Sequence, residues 1–326
     1  LGAAVPLIGN AQTLGDSPPV GKDFSLITRP FVGTKIAAKD ITQQEVGGLA
    51  LFSGAGCNVV ALAGPEGALV VDGGQAVNAA VLQKALHGRL GTRRIQTLVN
   101  THWHPDQTGL NEVAAKDRAT IVGHEVTRLY MGRKVRSPLY DGTIGPLPEA
   151  ARPSVTTYDQ GTLQFAGEEV QYRHLPAAHT GGDLCVWFPK RNVLVAGGPV
   201  TSDRWPVMDY INGAFMHGFV RSYEIMSGMV KPDTIVVPAH GPVMTGAEIV
   251  KMKDLYWELF KQFFVLFNKG LGPVDVAEFN AGKEFQGVVP IVADRPLKDS
   301  PLLQQLGDPA QFLEYAYRGL QLATLP

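Results

Sequence analysis

Only two cysteines, Cys57 and Cys185, occur in 326 residues. So few thiols exclude a disulfide framework, and a chain this long needs none; both read as buried thiols. An excess of charge of one sign is also missing, because 29 Lys and Arg stand against 30 Asp and Glu, a formal net charge of -1. That balance leaves no electrostatic footprint for nucleic acid or for an anionic membrane, so the expected partner is a small-molecule substrate. No uncharged apolar run approaches the roughly 20 residues that cross a bilayer. The richest stretch, Leu255 to Phe267, is broken by Glu258, Lys261 and Gln262. What is present is the composition of a folded globular chain, 45% hydrophobic and 18% charged, which excludes disorder as the main state. Leu1-Gly-Ala-Ala-Val-Pro6 resembles the small-residue remnant of a processing site, and a periplasmic or secreted location is the expectation.

Residues 1–48 are punctuated by Pro, Gly and Thr and read as an irregular lead-in. Short apolar runs follow at Leu49 to Ser53, Asn58 to Ala63 and Ala68 to Val71. Gly64-Pro-Glu-Gly67 between the last two is hairpin turn chemistry. Helical and strand patterns then alternate: Ala76 to Leu90, Ile95 to Val99, Leu110 to Lys116, Thr120 to Val122 and Glu125 to Met131. From Gly132 to Thr157 the periodicity lapses around Pro138, Pro146, Pro148 and Pro153, the profile of a functional flap. Strands resume between Leu163 and Val237 with one helix, Gly218 to Met229. No linker separates strand-rich from helical stretches, so residues 49–245 read as one domain. Residues 246–326 read as a helical extension packed on it. Thr245 and Glu248 form a capping box at the head of a long helix that Gly270 stops, and Pro309 to Leu322 reads as the last helix. Leu255, Trp257, Val265 and Leu266 make the long helix more apolar than one core contact requires. Cover for the pocket, or a homo-oligomer through helix 246–269, is the expectation.

Four histidines sit in comparable places. His102 and His104 follow the strand ending at Val99, His179 the one ending at Leu175, and His240 the one ending at Val237. Side chains two apart on extended backbone point the same way, so His102 and His104 can grip one ion together. Residues just past the carboxyl ends of strands converge where open α/β sheets build sites. Three imidazoles from two such ends suit Zn²⁺, with a fourth position for a water whose pKa falls to about 7. Asp106, two residues beyond His104, can orient that water or take its proton. Of the other histidines, His124 reads as structural, and His174 and His217 have no partner spacing.

These residues resemble the metallo-β-lactamase-fold superfamily of metal-dependent hydrolases. The family signature places His-x-His-x-Asp-His after a strand, then a lone His, an Ala-Gly-Asp turn and a Pro-x-His-Gly turn. Here those positions read Thr101-His-Trp-His-Pro-Asp-Gln107, Ala178-His179-Thr-Gly-Gly-Asp183, Ala196-Gly-Gly198 and Val237-Pro-Ala-His-Gly241. The hairpin ending in Val71-Asp72-Gly73-Gly74 matches as well. The resemblance implies an α/β fold, an αββα sandwich of two mixed sheets flanked by helices, with the site at one edge. It implies a first metal site of His102, His104 and His179. Asp106, His240 and Gln107 would form a weak or vacant second site, because Gln107 replaces a ligating His and Gly198 a bridging Asp.

The function expected from this is zinc-dependent hydrolysis of an ester, lactone, thioester or amide by metal-bound hydroxide, with Asp106 and His240 handling protons. Trp103, Tyr140, Trp205, Tyr210 and Phe215 are candidate pocket walls. Two other classes stand beside this one. One is a catalytically silent fold relative that binds a ligand. The other is an iron-dependent persulfide dioxygenase, disfavoured because Gly198 replaces an Asp that such a site needs. A Gln107→His change is expected to raise occupancy towards two ions. Elemental analysis of the unmodified protein should find one tightly held zinc per chain. That zinc should disappear, and hydrolysis with it, when His179 is replaced; two fully held ions would overturn the single-metal expectation.

Overall fold

The computed structural model describes residues 29–270, 306 and 310–324. Most of the lead-in (1–28) and of the extension (271–305) therefore lies outside the described residues. Leu49–Ser53 (β2), Val59–Gly64 (β3) and Gly67–Val71 (β4) form an antiparallel meander, with Gly64 opposite Gly67 across the expected hairpin. Ile95–Val99 (β5), Thr120–His124 (β6) and Val155–Thr157 (β9) extend it in parallel. One correction to the lead-in concerns Thr42–Val46 (β1), which pairs antiparallel with β2 and starts the sheet before Leu49. Its first four residues are exposed, so this edge strand carries no apolar pattern to read.

The second sheet runs in the order Gln160–Phe165 (β10), Glu168–Leu175 (β11), Asp183–Phe188 (β12), Val193–Thr201 (β13), Ile235–His240 (β14), Met244–Thr245 (β15). All its pairs are antiparallel except β13 with β14. Between the sheets lie Leu51, Val60, Leu69, Val71 and Val99 from one and Val170, Val186, Val195 and Val237 from the other. The alternate residues face outward: Phe52, Val59, Val70 and Leu98 meet Leu82 and Leu86 of Ala79–Leu90 (α1) and Ala114 of Asn111–Lys116 (α2). Leu194, Ala196 and Val236 lie under Met216–Met229 (α4), Gly246–Asn268 (α5) and Ala310–Thr324 (α6). Helices thus cover both outer faces, which is why these strands read as unbroken apolar runs. The result is an αββα sandwich of two mixed sheets.

Helix α5 begins at the expected capping box, in which Thr245 Oγ1 accepts from the Glu248 N–H and Glu248 Oε2 accepts from the Thr245 N–H. Its own chain absorbs much of its apolar surplus. Leu255 is buried, Tyr256 packs edge-on to Phe219 of α4, Phe263 meets Tyr317 of α6, and Trp257 Nε1 donates to Glu224 at 2.8 Å. Phe264 and Val265 remain about half exposed, at 48% and 46%. Among the described residues no helix is long and apolar enough to cross a membrane. Both cysteines are buried free thiols, and burial pushes Cys185 up to about 12.

The segment after Glu125–Met131 (α3) carries a small antiparallel ladder of Val135–Arg136 (β7) and Thr143–Ile144 (β8). Residues 29–31 pin it: Arg29 pairs with Asp141, the Phe31 N–H donates to Thr143 O at 2.9 Å, and the Thr143 N–H donates to Arg29 O at 2.7 Å. Leu139 and Tyr140 are buried beneath it. Its periodicity fails because a wall built from turns and two-residue strands has none.

His124, ending β6 in one sheet, stacks on His174 of β11 in the other, ring centroids 4.1 Å apart and 24° from parallel. Burial lowers both, His174 to about 4, with the neighbouring His124 ring adding to the fall. A folded-state pKa below the unfolded value means that the unfolded chain binds more protons between about pH 4 and 6.5. Stability from this pair is therefore complete above pH 6.5 and fades as pH falls. Replacing His174 by Phe keeps a stacked ring without the titration. Thermal unfolding at stepped pH should show the unmodified protein losing melting temperature against this variant from pH 6.5 down to 4; parallel curves would refute the assignment.

Candidate metal centre

Three chain segments carrying four histidines meet at one end of the sandwich. His102 and His104 follow β5, His179 follows β11, and His240 is the last residue of β14. His102, His104 and His179 are buried and each offers a ring nitrogen, all within 4.8 Å of one another. The other nitrogen of each ring is held from behind. His104 Nε2 faces Asp209 Oδ2 at 3.0 Å, His179 Nδ1 faces Val207 O, and His102 Nδ1 faces Thr101 Oγ1 at 3.1 Å. The Thr101 hydroxyl itself donates to Asp72 Oδ2 at 2.8 Å and so accepts from His102. With an N–H spent on each of these acceptors, the inward nitrogens carry bare lone pairs. His104 Nδ1 and His179 Nε2 face each other at 2.8 Å, and His102 Nε2 has no hydrogen-bond partner among the described residues. Lone pairs aimed at one another in a dry interior repel, and a cation between them turns that repulsion into ligation. The donor set fits zinc: three neutral imidazoles, each oriented by a hydrogen bond behind it.

Electrostatics favour the neutral form that ligation needs. Burial and the neighbouring rings hold His102 well below its ordinary value, and burial with His104 takes His179 down to about 3. Two buried carboxyls brace the ligand loops from behind. Asp183 accepts from the backbone N–H groups of His179 and Thr180 at 2.7 and 2.8 Å, which fixes the turn carrying His179. Burial pushes it up to about 7 against those bonds. Asp72 accepts from the Thr101 N–H at 2.8 Å and is pushed by burial up to about 8. It sits at φ 63, a left-handed conformation that Asp tolerates better than most residues.

Asp209 escaped the sequence reading. It lies in the aperiodic stretch between β13 and α4, and its carboxylate is completely buried. It reaches the His104 ring, its own N–H donates to His179 O at 3.0 Å, and Asn212 Nδ2 lies 2.9 Å from both its oxygens. The only signal in the chain was an Asp three residues before an Asn, too common to mark a role.

Asp106, Gln107 and His240 gather beside the three imidazoles. His240 Nε2 pairs with Asp106 Oδ2 at 3.0 Å, Gln107 Nε2 donates to the same oxygen at 3.1 Å, and Tyr140 Oη donates to Asp106 Oδ1 at 2.7 Å. Burial alone would raise the Asp106 carboxyl, but the His240 hydrogen bond and the surrounding imidazoles hold it well below the usual carboxylate range. Burial and the Asp106 charge push the Tyr140 phenol well up, so it remains a donor. A narrow cleft lies among Asp106, Tyr140, His179, Arg204, Trp205 and His240, with about 10 Å³ free, roughly one water. Of the expected pocket walls, Tyr140 and Trp205 line it. Trp103 lies behind, stacked on Tyr130 and edge-on to His104; Tyr210 packs on Tyr315 of α6, and Phe215 is the N-cap residue of α4. The 132–153 segment stands at this edge through Leu139 and Tyr140, as a flap would.

Gly198 has a steric reason of its own. A Cβ there would fall 2.3 Å from His179 Cδ2 and 2.9 Å from His102 Cε1, so the ligand rings occupy the space a side chain would need. Gly198→Ala should therefore push His179 aside and weaken zinc binding at least tenfold in a competition titration with a chelator. Undiminished affinity would show that the rings can shift without cost.

The sequence profile of the metallo-beta-lactamase superfamily matches residues 53–241, more than half of the chain. A linear primary-alkylsulfatase of a Pseudomonas species is 23% identical over 253 residues, covering 66% of this chain and 48% of that protein. A type 2 metallo-beta-lactamase of a Bacillus species is 24% identical over 167 residues, 50% of this chain and 58% of that one. The chain thus spans about half the length of these curated relatives. The solved structure of a metallo-beta-lactamase from Pontibacter korlensis superposes with a TM-score of 0.51 at 19% identity, over 69% of this chain and 97% of that one, a likeness of fold. With the αββα sandwich, the three-histidine cluster at its edge and the profile match in agreement, the chain belongs to the metallo-beta-lactamase superfamily.

Proposed function

We propose that this protein is a hydrolase with one zinc ion, cleaving an ester, lactone, thioester or amide. The observation that carries the reading is the set of three buried imidazole nitrogens whose lone pairs meet with no donor from the described residues among them. An ion held there would supply Lewis acidity and a nucleophilic water at neutral pH. The chain's own residues do the rest. Thr101, Asp209 and Val207 O hold the three rings in register, which fixes where the reacting carbonyl is placed. Asp106, kept ionised, accepts from His240 and fixes the imidazole that faces the cleft. His240 is the residue placed to hand a proton to the leaving group. Trp205, Leu139 and Val207 give the cleft an apolar wall, and its small free volume means that the substrate must part these side chains on entry.

Arg204 lines the same cleft, but its guanidinium is already forked onto Asp203 at 2.8 and 2.6 Å, so this wall is an ion pair. One relative is named for alkyl sulfates, which is why they join the panel below.

The test is a panel of small esters, lactones, thioesters, amides and alkyl sulfates against the zinc-loaded protein and a His240→Asn variant. Turnover of at least one class is expected, with kcat lower by 10² to 10⁴ in the variant, the range for loss of a general acid. A protein that carries one zinc and cleaves none of them would instead be a silent relative that binds its ligand.

A further inference from the structure

The second metal corner is altered in more than its ligand types. A carboxylate has about four lone-pair positions, and three donors from the protein already point at Asp106: Tyr140 Oη, Gln107 Nε2 and His240 Nε2. Gln107 can face Asp106 favourably only through its amide nitrogen, which leaves its Oε1 buried and without a partner among the described residues. Tyr140 differs from the other two because it lies in neither signature stretch, whereas Gln107 directly follows His-x-His-x-Asp and His240 sits in the Pro-x-His-Gly turn. It arrives from the aperiodic 132–153 segment, and that segment delivers it rigidly. The side chain is 1% exposed, its ring packs edge-on to Phe31 at 5.0 Å and to His104 at 5.3 Å. The Gly142 N–H donates to Tyr140 O at 2.9 Å, and Arg29 and Phe31 tie the strand beyond it.

We infer that Tyr140 is a positioning residue that takes the place of a second cation: its hydroxyl holds Asp106 in a hydrogen-bonded network and thereby keeps the centre at one metal ion. The inference rests on the single-metal reading above. It also changes what Gln107→His can achieve. An added imidazole would bring the ligands at that corner to three with Asp106 and His240, the number a zinc site ordinarily needs. Asp106 Oδ1, however, would still be held by the phenol, and an ion would have to displace a charge-assisted hydrogen bond anchored in a rigid wall.

Zinc stoichiometry separates these possibilities, read by elemental analysis after dialysis against buffered micromolar zinc, with cobalt(II) spectra as an independent count. Gln107→His alone should stay near one ion per chain, and Tyr140→Phe alone should also stay near one because only two strong ligands stand at the corner. The double variant should take two, with its second ion bound at least tenfold more tightly than any second ion in Gln107→His. Gln107→His combined with Tyr140→Leu reads the same increment if the Phe version folds poorly, and circular dichroism checks both. Two ions in Gln107→His with Tyr140 intact, or one ion in both double variants, would overturn the inference. An unmodified protein that holds no zinc would overturn the functional reading instead, while the increment between single and double variants still decides the role of Tyr140.

Discussion

Three imidazole nitrogens share one small dry space, and each is deprived of its proton by an acceptor behind it. Such a cluster is unfavourable by itself, because buried lone pairs without donors forfeit the hydrogen bonds that water would have made. It persists because the surrounding framework holds it. Asp72 holds Thr101 and through it His102, Asp209 holds His104, and Asp183 holds the turn of His179. Each of these carboxyls lies at the same end of the sandwich as the ligands, and each is buried. Much of the polar chemistry of the fold is thus directed at keeping three rings aimed at one point. The sandwich contributes rigidity: β5, β11 and β14 are fixed by packing on both faces, so the segments at their ends have defined starting points.

The same rings bear on one of the departures from the family signature. Gly198 cannot carry a side chain while His179 and His102 stand where they do. With no side chain at 198, Gly198 offers no ligand, and Asp106 is bonded to protein donors. Tyr140, Gln107 and His240 surround it with hydrogen bonds, the arrangement on which the single-ion proposal rests. A carboxylate held this way stays ionised and is fixed in direction, and that suits a residue whose part in the proposed reaction is to orient His240.

The geometry of the site also depends on segments far apart in the chain. Asn58, in the turn before β3, donates its side-chain amide to Pro238 O and Gly241 O at 2.9 and 2.8 Å, and its own N–H donates to Ala239 O at 2.8 Å. One residue from the first sheet thereby clamps both flanks of His240 at the end of the second. The pinned wall of residues 132–153 acts in the same way on the other side of the cleft, where it brings Tyr140 to Asp106.

Local pattern alone made much of this protein legible. Apolar runs bounded by turn residues mark most of the strands, the capping box at Thr245 and Glu248 marks the start of α5, and the spacing of His102 and His104 after a strand marks two members of the candidate metal centre. These features are written in neighbouring residues, so a chain can be read for them one window at a time. Thr42–Val46 was hidden because an exposed edge strand needs no apolar period, and Asp209 and Asn58 were hidden because a single polar residue in a loop looks like any other. Tyr140 was visible as a candidate wall, but its bond to Asp106 was not. That bond, the stacking of His124 on His174 and the steric claim of two histidine rings on the space at Gly198 all join residues from distant parts of the chain. Sequence spacing cannot encode such contacts, because they exist only once the two sheets have packed and brought the ends of their strands together.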